Sequence, residues 1–366
     1  MCKRKYKIII SGGGTGGHIF PAIAIAQALQ KKIEELEILF IGAKGRMEMI
    51  KVPDAGYKIK GLWISGLQRR LTIKNLLFPV KIISSIYNAK KIIRKFKPDA
   101  VIGVGGYASG PTLWVASKRN IPTAIQEQNS FPGITNKLLA KSVDKIFVAY
   151  SEMEKFFPAE KIIFSGNPIR KETIIIKGKK SEALKYFNLS ENKKTVLVVG
   201  GSQGAKAINE AIDNKLNLFC ENNLQLIWQT GKYYFEKAKS IAKNKSNVTV
   251  IEFISKMDYA YACADIVISR AGAIAISELC AVGKPTIFVP LPTAAENHQY
   301  KNAEALKKQE AAIIVKNSEA NEKLVEKVIE LSKNISEQKK LTENITKLAY
   351  TKADEQIAEE IIKLIK

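Results

Sequence analysis

Three glycine-rich segments follow short apolar runs and could bind an anion: Gly12–Gly17, Gly103–Gly110 and Gly200–Gly204. Glycine lets a ligand approach the backbone closely, and exposed N–H groups at the start of a following helix favour negative charge. The alternative for any one segment is tight packing of a strand against a helix. Because the first and third segments occupy equivalent places in two similar halves of the chain, we predict that they hold a pyrophosphate.

Two common nucleotide sites fit these segments poorly. Gly12, Gly14 and Gly17 match the dinucleotide pattern G-x-G-x-x-G, but the second predicted strand is followed by Lys44 and not by the acidic residue such a site requires. The third segment lacks the Gly-Lys-Ser/Thr ending of an ATP-binding loop. No Asp-x-Asp pair is present to bridge a metal to a diphosphate. We therefore predict no metal and no cofactor.

His18 and Glu278 are the side chains whose positions suit chemistry. His18 follows the first glycine segment at the start of a predicted helix, where helix N–H groups favour the neutral imidazole that a general base requires. Glu278 ends the apolar, small-residue segment Ala273–Glu278, where its carboxylate could accept two hydrogen bonds from a ribose diol. The alternatives are a surface imidazole and an exposed helix charge.

The elements that must position these residues are short β-branched runs alternating with helical patterns. Continuous apolar strands separated by helices are typical of parallel sheets covered on both faces. Two such sets predict an α/β protein with two doubly wound, Rossmann-like domains. The predicted strands are 7–11, 38–42, 100–104, 123–126 and 145–149 in the first half, and 195–200, 224–229, 248–253, 265–269, 286–289 and 312–315 in the second.

A length of 366 residues fits two domains, and the boundary is predicted at the segment Gly166–Lys171, where Asn and Pro break a strand. We assign residues 1–168 to the first domain and 169–344 to the second. The tail is predicted to form one helix over 345–366 with an apolar stripe that could pack on either domain, and we assign it to the first. That stripe consists of Ile357, Ile361, Ile362 and Leu364.

The chain carries 58 Lys and Arg against 35 Asp and Glu, a formal charge of +23 that favours an anionic partner. Nucleic acid is disfavoured as that partner because the aromatic residues, 8% of the chain, do not cluster with the basic ones. Four scattered cysteines and two histidines predict no zinc site and a reducing cytoplasm. No apolar run is long enough for a membrane span.

Residues 69–97 combine aliphatic and basic side chains in a way that suits the surface of an anionic bilayer. The alternative is an ordinary amphipathic helix after Pro79, with its apolar side in the core. The residues concerned are Leu76, Leu77, Phe78 and Val80 among Arg69, Arg70, Lys74 and Lys81, and Lys137 and Lys141 could extend the patch.

Six motifs, taken in order, resemble the MurG family of peptidoglycan N-acetylglucosaminyl transferases from about residue 6 to the final helix. They are Gly12–His18, Gly103–Tyr107, Glu127–Ser130, Gly166–Arg170, Gly200–Gly204 and the block 269–302. The resemblance implies the GT-B fold, in which two Rossmann-like domains face a cleft. It also implies inverting, metal-independent transfer of GlcNAc from UDP-GlcNAc to the MurNAc 4-hydroxyl of undecaprenyl-pyrophosphoryl-MurNAc-pentapeptide (lipid I), giving lipid II.

The resemblance further implies an acceptor and membrane-side first domain and a donor-binding second domain. His18 would be the catalytic base, and some family members have a second glutamine where this chain has His298. The implied substrate contacts are Ser202 and Arg170 to the diphosphate and nucleotide, the Ile254 backbone to uracil, Ala273, Ile274, Ala275, Ile276, Ser277 and Glu278 to phosphate and ribose, Gln299 to the sugar, and Thr15, Gly16, Gly17 and Asn129 closing over the sugar.

The partners implied are UDP-GlcNAc, lipid I, an anionic membrane surface and other cell-wall synthesis and division proteins, with no nucleic acid. The implied location is peripheral, on the cytoplasmic face of the inner membrane. The alternative enzyme is another GT-B protein that uses a UDP-sugar, such as a sterol or antibiotic glycosyltransferase or a UDP-GlcNAc 2-epimerase. Those proteins are expected to share the nucleotide site of the second domain but not the Gly-Thr-Gly-Gly-His and Gln-Asn-Ser motifs of the first.

Overall fold

The computed structural model describes residues 4–66, 77–201, 203–294 and 297–365. The chain divides into two compact units. Unit 1 contains the residues up to Ile169 together with those from Tyr350 onward, and unit 2 contains Arg170–Ala349. These divisions, after 169 and 349, compare with predicted boundaries after 168 and 344.

Unit 1 is built on a parallel sheet of seven strands in the order β3-β2-β1-β4-β5-β6-β7. The order reverses between β1 and β4, and in doubly wound sheets ligands bind beyond the carboxyl ends of the strands at such a point. Strands β4 and β5 are buried along their whole length, and β1 is buried from Ile8 onward, as expected when helices cover both faces. The strands are β1 Tyr6–Ser11, β2 Leu36–Ala43, β3 Lys58–Leu62, β4 Ala100–Gly103, β5 Thr123–Glu127, β6 Lys145–Val148 and β7 Ile162–Phe164.

The helices of unit 1 follow the strands in sequence. The predicted apolar face of α1 is buried in the core: Ala22, Ile25, Ala26 and Leu29 are at most 3% exposed. The helices are α1 Gly16–Lys32, α2 Glu48–Asp54, α3 Phe78–Phe96, α4 Ser109–Ser117, α5 Ile134–Leu139 and the C-terminal helix, with 3-10 turns at Met153–Lys155 and Ala159–Lys161.

Unit 2 repeats the arrangement with a parallel sheet of six strands in the order β10-β9-β8-β11-β12-β13. Its strands are β8 Lys194–Val199, β9 Leu224–Gln229, β10 Val248–Ile251, β11 Ile266–Ser269, β12 Thr286–Phe288 and β13 Ile313–Ile314. Its helices are α6 Lys171–Ile174, α7 Lys180–Tyr186, α8 Lys206–Asn214, α9 Leu216–Glu221, α10 Phe235–Ala242, α11 Met257–Cys263, α12 Ala273–Val282, α13 His298–Lys308, α14 Ala320–Lys333 and α15 Ile335–Lys347, with a 3-10 turn at Asn317–Glu319.

The predicted doubly wound architecture is confirmed, and two strands were missed. Both missed strands, β3 and β7, lie at the edges of the first sheet. β3 places Lys58 and Lys60 in water between partly buried neighbours, and β7 is three residues long. β3 lacks a continuous apolar run because lysines occupy its solvent-facing positions, whereas β7 is apolar but only three residues long.

The prediction of one helix over 345–366 is wrong at its start. α15 ends at Lys347, and the C-terminal helix α16 spans Ala353–Ile365. α15 packs its own apolar residues, Leu341 among them, in the core of unit 2. α16 buries Ile357 and Ile361 completely in the core of unit 1, next to α1.

Among the described residues, no helix combines the length and the apolar character needed to cross a bilayer.

We predict that Ile361→Ala lowers the free energy of unfolding of unit 1 by about 2–5 kcal/mol, because removing a fully buried side chain leaves a cavity. Ile83→Ala is the matched control, since Ile83 on α3 is 68% exposed. Urea unfolding of both variants measures the difference. Equal midpoints would show that α16 does not contribute to the core.

Candidate functional site

The first glycine segment forms the turn between β1 and α1, with Gly13 and Gly14 at positive φ. Thr15 precedes the helix in extended conformation, and its carbonyl accepts the backbone N–H of His18. Thr15 and Gly17 are exposed, whereas Gly16 is half-buried. The segment therefore exposes Gly14, Thr15 and Gly17 at the carboxyl edge of the sheet.

His18 lies in the first turn of α1, and its ring is oriented by the backbone of the same segment. Nδ1 lies 3.0 Å from the carbonyl oxygen of Gly13 and 3.5 Å from Thr15 Oγ1. A carbonyl can only accept, so Nδ1 carries the proton of the neutral ring and Nε2 keeps the lone pair. This is the tautomer in which Nε2 can accept a proton.

A buried carboxylate that the sequence motifs did not indicate is hydrogen-bonded to the first glycine segment. Glu48, at the start of α2, is 1% exposed. Its Oε2 accepts the N–H of Gly14 at 2.8 Å and its Oε1 accepts the N–H of Ala43 at 2.9 Å. The Gly14 N–H therefore binds a carboxylate of the chain itself, and pyrophosphate binding by the other amides of the segment stays a prediction. No local motif around Glu48 indicates this role, because the hydrogen bond to Gly14 joins two loops that are distant in sequence.

The second glycine segment packs directly against the first. Gly105 and Gly106 both have positive φ, and a side chain at Gly106 would overlap the carbonyl of Gly13. A Cβ at Gly105 would lie 2.8 Å from Nε2 of His18. The glycines of this segment therefore make room for the first segment and for the imidazole.

The Glu127–Ser130 motif is a loop held by one carboxylate. Glu127, at the end of β5, is 2% exposed. It accepts the backbone N–H and the side-chain amide of Asn129, at 3.0 and 3.1 Å, and the amides of Gly133 and Asn136. The predicted substrate residue Asn129 is thus fixed at the carboxyl edge of the unit 1 sheet.

In unit 2, the third glycine segment also binds an internal side chain. Gln229, at the end of β9, accepts the N–H groups of Gly200 and Gly201 through Oε1, each at 3.0 Å. These two amides are therefore committed to the protein. Ser202, predicted to bind the diphosphate, lies outside the described residues.

Arg170 and Glu278 lie together in unit 2, joined by a charge pair. The Arg170 guanidinium donates to Glu278 Oε1 at 3.0 and 3.3 Å, and Thr173 Oγ1 lies 3.4 Å from the same oxygen. The Glu278 side chain is 5% exposed and that of Arg170 is 33% exposed. The exposed-charge alternative for Glu278 is therefore wrong.

Tyr261 completes this cluster by donating its hydroxyl to Glu278 Oε2 at 3.2 Å. Burial and the neighbouring carboxylate hold the pKa of Tyr261 well above its ordinary value, so the hydroxyl stays protonated as a donor. The sequence carried no signal for this partner, which comes from α11.

A cavity of about 300 Å³ lies beside Arg170. It is lined by Arg170, Glu172, Thr173, Ile175, Lys179, Ser255, Met257 and Asp258. Ile254, the predicted uracil contact, is the buried neighbour of the lining residue Ser255. The cavity thus brings two predicted nucleotide residues into one neighbourhood.

The N-terminus of α12 has the features of an anion site. The helix begins after Gly272, no side chain caps it, and its first turn has no acidic residue. The first N–H groups of any helix lack partners within it and carry positive potential. Ala273, Ile274 and Ile276 are buried, Ala275 and Ser277 are half-buried, and the Ser277 hydroxyl donates to the carbonyl of Ala273.

Gln299 and His298 begin α13. Gln299 accepts the backbone N–H of Leu291 through Oε1 at 2.9 Å, which holds the preceding loop to the helix. Both side chains are half-buried. Their preceding residue Asn297 has a φ of +56°, a left-handed conformation that asparagine tolerates well.

Arg270, directly after β11, is a cation that sequence analysis did not single out. Its Nη1 donates to the carbonyl of Val289 at 2.9 Å and to Asn317 Oδ1 at 2.8 Å. Burial lowers the pKa of the Arg270 guanidinium to about 10, so it remains charged at neutral pH. Its place near the start of α12 adds positive charge to that end of the sheet.

Two family domains match the chain. Residues 8–148 match the glycosyltransferase family 28 N-terminal domain, and residues 195–361 match the glycosyltransferase family 28 C-terminal domain. Together these matches span most of units 1 and 2.

Full-length relatives carry one name. A Flavobacterium psychrophilum protein named UDP-N-acetylglucosamine--N-acetylmuramyl-(pentapeptide) pyrophosphoryl-undecaprenol N-acetylglucosamine transferase is 52% identical, covering 99% of this chain and 98% of the relative. A Parabacteroides distasonis protein of the same name is also 52% identical, covering 99% of each.

Solved structures share the fold. The crystal structure of Acinetobacter baumannii MurG has a TM-score of 0.79 at 29% identity, covering 98% of this chain and all of that one. A UDP-GlcNAc 2-epimerase from Neisseria meningitidis bound to UDP-GlcNAc has a TM-score of 0.68 at 16% identity, covering 98% of this chain and 100% of that one. The second likeness shows the fold alone.

We predict that Arg170→Ala lowers the free energy of unfolding of unit 2 by about 1–3 kcal/mol, because the buried Glu278 carboxylate loses its cationic donor. The control is Lys180→Ala, whose side chain is 58% exposed and whose pair with Asp265 should contribute less than about 1 kcal/mol. Urea denaturation compares the two. If Arg170→Ala left the free energy of unfolding unchanged, the hydrogen bonds from Thr173 and Tyr261 would be enough to stabilise the buried Glu278 carboxylate.

Proposed function

The chain belongs to glycosyltransferase family 28, and from that membership we propose that it transfers GlcNAc from UDP-GlcNAc to the MurNAc 4-hydroxyl of lipid I, forming lipid II with inversion at the anomeric carbon. The observation that carries the proposal is the 52% identity over nearly the whole chain to relatives whose name states the sugar donor and the acceptor. The Gly-Thr-Gly-Gly-His motif of unit 1 supports it over the other UDP-sugar enzymes considered.

His18 is proposed as the base that removes the proton from the acceptor hydroxyl. Inverting transfer is a single displacement, so one base and one stabilised leaving group are enough. The hydrogen bond from Nδ1 to Gly13 leaves the lone pair on Nε2, which is the requirement for that role. Thr15, Gly16, Gly17 and Asn129 are proposed to contact the sugar from unit 1.

Unit 2 is proposed to bind UDP-GlcNAc and stabilise the departing diphosphate. The N-terminus of α12, the partly exposed Arg170 and the charged Arg270 supply positive potential there. Preorganised donors of this kind lower the barrier by several kcal/mol in comparable sites. The cavity lined by Arg170 and Ser255 is the proposed place for the nucleoside, with the Ile254 backbone reading uracil and Gln299 contacting the sugar.

Glu278 is proposed to bind the ribose diol, and its setting limits how. Arg170 and Thr173 engage one carboxylate oxygen and Tyr261 engages the other. Each oxygen has two lone-pair sites, so the diol hydroxyls must share the carboxylate with these donors or displace Arg170. A displaced Arg170 would become available to phosphate oxygens, to which its planar guanidinium is suited.

Association with an anionic membrane surface is proposed for unit 1, and with it a peripheral location on the cytoplasmic face of the inner membrane. Leu77, Val80, Ile83 and Tyr87 on or before α3 are 47–68% exposed. The other face of this helix buries Ala89 and Ile93 in the core, so the amphipathic-helix alternative accounts for only that side. Lys81, Lys90 and Lys91 lie on the same helix, and the predicted residues 69–76 lie outside the described part of the chain.

Transfer of labelled GlcNAc from UDP-GlcNAc to a short-chain lipid I analogue tests the proposed reaction, and addition of a chelator should leave the rate unchanged. We predict that His18→Ala lowers turnover by about 10²–10⁴-fold while UDP binding stays within twofold of wild type, because the residue acts on the acceptor. No transfer by the wild-type enzyme would refute the reaction. Undiminished turnover of the variant would refute only the assignment of the base.

The membrane proposal predicts that the protein sediments with vesicles containing anionic lipid, and less so at high salt. Replacing Val80 and Ile83 together by Ser should reduce vesicle binding at least about tenfold, because the inserted apolar area is lost. Ile335→Ser is the control, since Ile335 on unit 2 is 73% exposed and lies outside the proposed surface. Equal loss in both variants, or binding that ignores lipid charge, would contradict the proposal.

A further inference from the structure

We propose that Glu48 is a positioning residue for His18: acting through the Gly13–Gly14 peptide group, it holds the imidazole with its proton on Nδ1 and its lone pair on Nε2. The importance of this arrangement for turnover rests on the proposed role of His18 as the base. The arrangement itself can be measured without any enzyme assay.

Glu48 and His18 each form a hydrogen bond with the same peptide group, which joins Gly13 to Gly14. Glu48 Oε2 accepts the N–H of Gly14 at 2.8 Å. His18 Nδ1 lies 3.0 Å from the carbonyl oxygen of Gly13. The Gly13 carbonyl and the Gly14 N–H belong to the same planar group, in which the C=O and N–H point in opposite directions. A carboxylate that fixes the N–H therefore fixes the direction of the carbonyl that orients the ring.

The carboxylate has no freedom to move away from this position. Its second oxygen accepts the N–H of Ala43 at 2.9 Å, at the end of β2, and the residue is 1% exposed. A side chain at either Gly13 or Gly42 would overlap Glu48. Both glycines are thus required for its access, and Gly13 also adopts a φ of +141° that other residues rarely take.

The chemistry of the pair of bonds selects one tautomer of His18. The carbonyl of Gly13 can accept but not donate, so the nitrogen facing it must carry a proton. Linked hydrogen bonds polarise one another, so the negative charge on the N–H side of the peptide makes its carbonyl a stronger acceptor. In many catalytic sites a carboxylate contacts the histidine directly to fix its tautomer, and here one peptide group lies between them.

Glu48→Gln tests the proposal with almost no change of shape. A carboxamide has one acceptor oxygen, but the site holds two backbone N–H donors, from Gly14 and Ala43. Because the two N–H groups bind different oxygens of Glu48, the carboxamide can accept from only one of them and turns its NH2 group toward the other. In either orientation the Gly13–Gly14 peptide group loses the charged acceptor that holds it. Asp99→Asn is the matched control, because Asp99 accepts the N–H of Lys7 at 2.8 Å at the other end of β1.

The measurement is nitrogen-15 NMR of the full-length protein with labelled histidine, at about pH 8.5, where an imidazole is mostly neutral. The chain has only two histidines, so the spectrum of His18→Ala assigns the signals. We expect wild type and Asp99→Asn to show a protonated Nδ1 and an unprotonated Nε2, and Glu48→Gln to show a mixture of tautomers. Turnover of Glu48→Gln should fall about tenfold or more, with the KM for UDP-GlcNAc within twofold.

An unchanged tautomer in folded Glu48→Gln would overturn the proposal, and so would a wild-type His18 protonated on Nε2, a result that does not depend on the variant folding. A change of tautomer with undiminished turnover would support the positioning and refute His18 as the base. The two failures are therefore distinguishable.

Discussion

Backbone N–H groups at the carboxyl ends of parallel strands must find acceptors, and this requirement organises both units. Each sheet ends in a glycine turn, and the amides of Gly14, Gly200 and Gly201 in these turns lie beyond the strand ladder. In unit 1 the acceptor is the carboxylate of Glu48, and in unit 2 it is the carboxamide of Gln229. Both side chains are at most 2% exposed. The turns are therefore preorganised by the protein, and ligands meet a backbone whose shape is already determined.

The two acceptor side chains, Glu48 in unit 1 and Gln229 in unit 2, differ in charge. Glu48 places a carboxylate behind the first turn, which disfavours an anion there and favours a polarised carbonyl at His18. Gln229 is neutral, so unit 2 can keep positive potential at the same edge of its sheet, where α12 begins and Arg270 lies. The division of labour proposed for the units, with a base on unit 1 and diphosphate binding on unit 2, agrees with this difference.

Much of the fold was predictable, because the central strands of a doubly wound sheet are apolar runs such as Ile8–Ile10. Strand β3 was missed because lysines alternate with its other residues, and β7 was missed because it has only three residues. The positions of His18, Arg170 and Glu278 followed from local motifs. Glu48 and Tyr261 could not be found in this way, because each reaches its partner across a separate element: Glu48 is 34 residues from Gly14, and Tyr261 is 17 residues from Glu278. Such contacts exist only once the tertiary structure forms.

The chain leaves unit 1 after Ile169 and returns to it at Tyr350, so unit 2 is an insertion within unit 1. α16, which buries Ile357 and Ile361 against α1, is synthesised only after the whole of unit 2. Unit 2 can finish folding while synthesis continues, whereas the first 169 residues must wait for their closing helix with part of their apolar surface uncovered. Until α16 has been made, the apolar residues of α1 and the first sheet that it covers have no partner from that helix.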